Sequence, residues 1–123
     1  MSPAAGPGLT THVLDTAHGR PAAGVRIDLS ALEPDGRARL LKTLTTNADG
    51  RTDEPLLGPA EVEIGRYELV FHVGAYFRTT GDALPDPPFL DQVPVRFAIA
   101  DPRGHYHVPL LVSPYGYATY RGS

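Results

Sequence analysis

The chain has 123 residues and a formal net charge of −3, set by 11 basic and 14 acidic side chains. That length holds one domain around one core, with about two thirds of the chain's surface buried on folding; at 41% apolar and 20% charged residues it is too hydrophobic for a disordered chain. The 13 Gly and 13 Pro exclude a helical bundle, and the absence of Cys excludes a disulfide framework, a thiol nucleophile and a Cys-based metal site.

No basic run offers a nucleic-acid footprint, so no nucleic-acid partner is expected. No apolar stretch approaches a membrane span, and MSPAAGPGL has neither the basic nor the apolar part of a secretory leader. The expectation is a cytoplasmic protein without membrane contact. Residues 1–8 read as a loose segment ahead of one domain over 9–123.

Taken in order, Leu9 to Asp15 alternates as a first strand, with Leu9, Thr11 and Val13 on one face and Thr10, His12 and Leu14 on the other. Residues 16–21 form a turn with Gly and Pro punctuation. Val25 to Leu32 alternates as a half-buried strand, and the turn sequence Glu33-Pro34-Asp35-Gly36 joins it to a strand over 39–46 as a hairpin. Asn47-Ala48-Asp49-Gly50 is the next turn, with Arg51 directly after it. Residues 52–64 are irregular, with room for one short edge strand. Tyr67 to Gly74 is a strand, one helical turn is expected near Tyr76 to Thr80, and Val93 to Ala100 is a strand. His105 to Val112 and Tyr115 to Tyr120 close the chain as two strands around Ser113-Pro114. Seven or eight short strands separated by turns predict an all-β, two-sheet antiparallel sandwich.

Few side chains here do chemistry at neutral pH. Strand periodicity sets His105 and His107 on one face, about 7 Å apart along the backbone, where they can act on one ligand, bind one metal or simply face solvent. His12 lies mid-strand beside Thr10 and Leu14, Arg51 follows a Gly turn and Ser123 ends the sequence. His12, His105 and His107 also suit a three-histidine zinc site with an open fourth position. His18, in a turn, and His72, alternating with core residues, read as structural or solvent-facing.

Two longer motifs go further. LTTHVLDTAHGRPAAGV (9–25) resembles the opening signature of the transthyretin-like proteins, and HYHVPLLVSPYGYATYRGS (105–123) resembles the closing signature of their 5-hydroxyisourate hydrolase branch. NADGRT (47–52), GRYELVFHVGAYF (65–77) and VPVRFAI (93–99) lie between them in the order that the family shows.

The resemblance implies a transthyretin-like β-sandwich of two four-stranded sheets with one short helix. It implies a homotetramer with sites at the dimer–dimer interface, and hydrolysis of 5-hydroxyisourate to 2-oxo-4-hydroxy-4-carboxy-5-ureidoimidazoline in urate degradation, with no cofactor. It also implies a site. His12 and His107 share the acid–base work; the sequence does not say which of them activates water, and our reading takes His12 as the base. Arg51 binds substrate and stabilises charge, Tyr120 contacts the flat ring and Ser123 orients water or relays protons. His105 stays outside that core set. The alternatives are a transthyretin-type carrier of an apolar ligand, an adhesive sandwich module and a zinc enzyme on the same histidines.

Overall fold

The computed structural model describes residues 6–122. Two four-stranded sheets share one core. The first runs, edge to edge, through β10 (Gly116–Thr119), β9 (Leu110–Ser113), β2 (Val13–Asp15) and β3 (Arg20–Pro21). The second runs through β5 (Ala38–Thr45), β4 (Arg26–Leu32), β6 (Gly65–Phe71) and β7 (Val93–Ile99), antiparallel throughout. A further parallel pair, β1 (Gly8–Thr10) with β8 (His105–His107), extends the first sheet at the end that holds the histidines.

The stretches expected as single strands over 9–15 and 105–112 each fall into two pieces. Gly8 pairs with His105 and Thr10 with His107; Val13 then pairs with Leu110 and Asp15 with Val112, so the register never slips. The Val108 and Leu110 N–H groups donate to the Thr10 and His12 carbonyls (2.9 Å each), so Pro109 between them costs this ladder no donor. At the junction the Val108 carbonyl accepts from the Thr11 hydroxyl (2.7 Å). Both of these pairings are parallel, so the first sheet is mixed, where alternation alone suggested antiparallel strands.

Alternation works elsewhere. Leu9, Val13, Leu110 and Val112 point inward against Ile27, Leu29, Leu69 and Phe71 of the second sheet, all at most 1% exposed. The helix α1 (Val73–Arg78) begins three residues before the expected turn, so Val73 and Gly74 leave the strand and Gly74 packs against Pro88 and Asp91. Within 52–64 the only sheet-like contact is the isolated bridge between Leu57 and Leu9. Arg20 and Pro21, expected in a turn, pair briefly with β2. Among the described residues, no helix is long and apolar enough to cross a membrane.

A carboxylate is built into this core alongside the buried hydroxyls of Thr11, Ser30 and Thr46. Asp15 is 1% exposed and accepts hydrogen bonds from the Tyr76 hydroxyl (2.7 Å), the His18 ring (2.7 Å) and the backbone N–H groups of Ala17 and His18. The other His18 nitrogen meets Asp82 at 2.9 Å, and His72 pairs with Asp28 at 2.8 Å, so both histidines are structural. Burial pushes the Asp15 carboxyl up, but the donors around it outweigh that and hold it below its ordinary value. Its contribution to stability is therefore present above the unfolded carboxyl's pKa and lost as pH falls through the folded value. Asp15→Ala strands the buried Tyr76 hydroxyl and is expected to cost about 2–3 kcal/mol, lowering the melting temperature by about 8–12 °C. Thermal unfolding by circular dichroism at neutral pH checks this; a shift under about 2 °C contradicts it.

Candidate active site

The outer face of the first sheet carries the chemistry. Thr10, His12, His105 and His107 alternate with the buried Leu9, Thr11, Val13, Tyr106 and Val108, so the same periodicity that fills the core aims these four side chains outward. Thr10 lies opposite His107, and its hydroxyl sits 2.8 Å from His107 Nδ1 and 3.4 Å from His105 Nε2.

The Asn47–Arg51 turn closes one side. The Asn47 side-chain oxygen accepts from the N–H groups of Asp49 (2.9 Å) and Arg51 (3.2 Å), and the Asn47 N–H donates to the Arg51 carbonyl (2.7 Å). Gly50 docks this turn on the sheet. Its φ is +76°, its carbonyl accepts from the Val13 N–H (2.7 Å), and a Cβ there would collide with the Val13 carbonyl oxygen and press on the His12 ring. His12 Nε2 then donates to the Asp49 carbonyl at 2.8 Å. A carbonyl only accepts, so in the neutral ring Nδ1 keeps the lone pair.

The C-terminal segment closes the other side. The Gly122 N–H donates to the His107 carbonyl (2.7 Å), and a Cβ on Gly122 would come within 2.6 Å of His107 Cδ2. The Arg121 guanidinium lies 4.1 Å above the Tyr106 ring and donates to the His105 carbonyl (3.2 Å). The β9–β10 register continues through the Gly122–His107 bridge, which sets the exposed Tyr120 opposite Pro109 on the same sheet.

Electrostatics follow from this gathering. Burial lowers the pKa of the His107 imidazole below its ordinary value, and the Arg51 charge pushes it further down, as do His105 and His12 where they carry a proton. His107 is thus a neutral proton acceptor at pH 7 beside a fixed cation. The structure brings His12, Arg51 and His107 together and sets Tyr120 on the adjoining register; Ser123 lies outside the described residues. Among the described residues, no group of three or more His, Cys, Asp or Glu side chains is arranged to hold a metal ion, so the three-histidine zinc geometry left open by spacing does not form. Sequence reasoning missed Thr10 as a partner of His107, although Thr10 shares a strand face with His12. It also missed the Asp49 carbonyl, which only the folded turn delivers.

The HIUase/Transthyretin family model matches residues 9–122. The chain belongs to this family. Among its curated relatives, 5-hydroxyisourate hydrolase 2 of Rhizobium meliloti (strain 1021) is 64% identical over 115 residues, covering 94% of this chain and 95% of that protein. Among solved structures, (S)-allantoin synthase superposes with a TM-score of 0.88 at 49% identity; the match covers 97% of this chain, which spans 44% of that longer one. Transthyretin from Sparus aurata superposes with a TM-score of 0.81 at 30% identity over 93% of this chain and 95% of its own. The HIUase/Transthyretin sandwich therefore accounts for the expected all-β architecture.

Proposed function

We propose that this chain is a 5-hydroxyisourate hydrolase, opening the ring amide with water to give 2-oxo-4-hydroxy-4-carboxy-5-ureidoimidazoline in urate degradation. The observation that carries the reading is the outer-face cluster of His107, bonded to Thr10 at 2.8 Å, and His12, bonded at 2.8 Å to the turn that carries Arg51, on a chain 64% identical to a relative named for that activity. His107 takes a proton from water as the oxygen attacks the ring carbonyl. Arg51 offers its charged fork to the oxyanion that forms. His107 then returns that proton to the leaving nitrogen, while His12, its Nε2–H fixed by the Asp49 carbonyl, offers its Nδ1 lone pair as an acceptor that helps to hold the water. Tyr120 presents its ring and hydroxyl to the flat substrate, and Ser123, next in the chain after Gly122, orients the water. The base thus moves from His12 to His107, because burial and neighbouring cations keep His107 unprotonated.

We place the reaction in the cytoplasm, in a homotetramer whose dimer–dimer contact covers the sites. Two observations support a covered face. Strand β10 is an exposed edge, and Tyr117 and Tyr120 along this edge and Tyr115 and Phe89 at its far turn expose 47%, 59%, 61% and 71% of their surface. The carrier reading is weaker, since imidazole and guanidinium groups line this face and the transthyretin likeness is 30% against 64% for the hydrolase. The test is the product. With the carbon that becomes the carboxyl labelled in urate, urate oxidase and this protein together are expected to convert its 13C signal to a carboxylate ahead of the spontaneous reaction. Ring opening at the spontaneous pace, or at another carbon, contradicts the reading.

A further inference from the structure

Nothing assigned so far explains how His107 presents one nitrogen rather than the other. A neutral imidazole carries its proton on Nδ1 or Nε2, and only the bare nitrogen is a base. On this strand Nδ1 faces the sheet, 2.8 Å from the Thr10 hydroxyl. The ring is also held in place. A Cβ on Gly122 would lie 2.6 Å from Cδ2, 3.2 Å from Cγ and 3.3 Å from Cβ of His107, so the tail packs against this edge of the ring. Turning the ring over would exchange Nδ1 for Cδ2 and forfeit the Thr10 bond.

Thr10 has a second partner. Its hydroxyl oxygen is 3.4 Å from His105 Nε2, and the parallel register that sets Thr10 opposite His107 sets Gly8, which has no side chain to intervene, opposite His105. A hydroxyl has one proton to give. With His105 Nε2 bare, the Thr10 O–H donates to it and the Thr10 oxygen accepts the Nδ1 proton of His107. That leaves the His107 Nε2 lone pair directed away from the sheet.

We propose that Thr10 is a positioning residue for the reaction: its hydroxyl, oriented by His105, fixes His107 as the Nδ1–H tautomer and leaves Nε2 as the base. The inference rests on the hydrolase reading for its kinetic consequence. Once His107 Nε2 takes the water's proton, the Nδ1–H bond to Thr10 strengthens as the ring becomes cationic, and the same proton on Nε2 is free to return to the leaving nitrogen. No proton passes through Thr10. The role is the one that the third member of a nucleophile–base–orienter set performs, with a hydroxyl and an imidazole in place of a carboxylate. The titratable and charged groups that face His107 are His105 on its own strand, His12 beside β1 and Arg51 from the turn; Arg121 of the tail is tied to the His105 carbonyl.

Two measurements test this. The first needs no substrate. Long-range 15N–1H NMR on histidine-labelled wild type at pH 8 is expected to show His107 as the Nδ1–H tautomer, and Thr10→Val is expected to mix or reverse it. A wild-type Nε2–H tautomer overturns the proposal even if Thr10→Val fails to fold. The second is kinetic. Thr10→Val is expected to lower kcat about ten- to a hundredfold with KM nearly unchanged, and Thr10→Ser to restore it. His105→Asn is expected to lower kcat similarly, with the double variant no worse than either single one. Full activity in Thr10→Val, or losses that multiply in the double variant, overturns the proposal. Wild type that does not accelerate 5-hydroxyisourate decay sinks the hydrolase reading instead, and the tautomer measurement still judges Thr10.

Discussion

Replacing His107 by Asn is expected to reduce kcat by about two to four orders of magnitude while the fold survives. Asn matches the imidazole in polarity, so the Gly122 and Thr10 contacts are disturbed little, but it cannot accept a proton from water at any working pH. The pH profile sharpens the test. Burial and the Arg51 charge hold the His107 pKa below its ordinary value, as do His105 and His12 where they carry a proton. The base form therefore persists into mildly acidic solution, and the acid limb of kcat/KM in the wild type lies below the pKa of a free imidazole. The residual activity of His107→Asn is expected to lack that limb. Stopped-flow decay curves between pH 5 and 8 check both statements. A variant within threefold of wild type at pH 7 contradicts the assignment.

Arg51→Ala carries the second large effect, and it has two parts. Losing a charged donor at a developing oxyanion is expected to cost about a hundred- to a thousandfold in kcat. The same substitution removes one of the cations that depress His107, so the acid limb of the residual activity is expected to move up towards the ordinary imidazole value. Arg51→Lys keeps a charge but not the planar fork, so the limb is expected to stay low while most of the rate is still lost. A rate loss in Arg51→Ala with an unmoved limb would separate Arg51 from His107 and contradict the geometry argued here. Arg51 reaches this position because the Asn47 side chain ties the turn together and Gly50 lets it lie against Val13. The arginine proposed to stabilise the oxyanion is thus carried by a turn that Asn47 and Gly50 shape without taking part in the chemistry.

Much of the frame was legible along the chain, for physical reasons. A half-buried strand must alternate, so Ile27 and Leu29 of β4 and Leu9 and Val13 of the first run announced the core, and the complementary residues announced the outer face with Thr10 and His12. The Asn47–Gly50 turn was also there to be read, since Asp-Gly marks a chain reversal. The parallel pairing of β1 with β8 was not, because it joins residues nearly a hundred positions apart and nothing local encodes it. The site shows the same division. His12, His107, Tyr120 and Ser123 stood out through the two terminal motifs, and Arg51 through NADGRT between them. The Asp49 carbonyl that fixes the His12 ring is a backbone atom invisible to any residue pattern. Thr10 was visible as an outward-facing strand residue, but its place between two imidazoles exists only once β1 and β8 are side by side. The helix started early for a related reason: Gly74 donates to the Asp91 carbonyl (2.8 Å) across the chain, a tertiary contact that overrides the local strand alternation.

The ultraviolet decay of 5-hydroxyisourate generated from urate by urate oxidase, followed with wild type, with His107→Asn and with no added protein, decides whether His107 drives the hydrolysis. Decay accelerated in proportion to wild-type concentration is expected, with decay close to the spontaneous rate for the folded His107→Asn variant. Decay at the spontaneous rate with folded wild-type protein, or equal acceleration by wild type and variant, would contradict it.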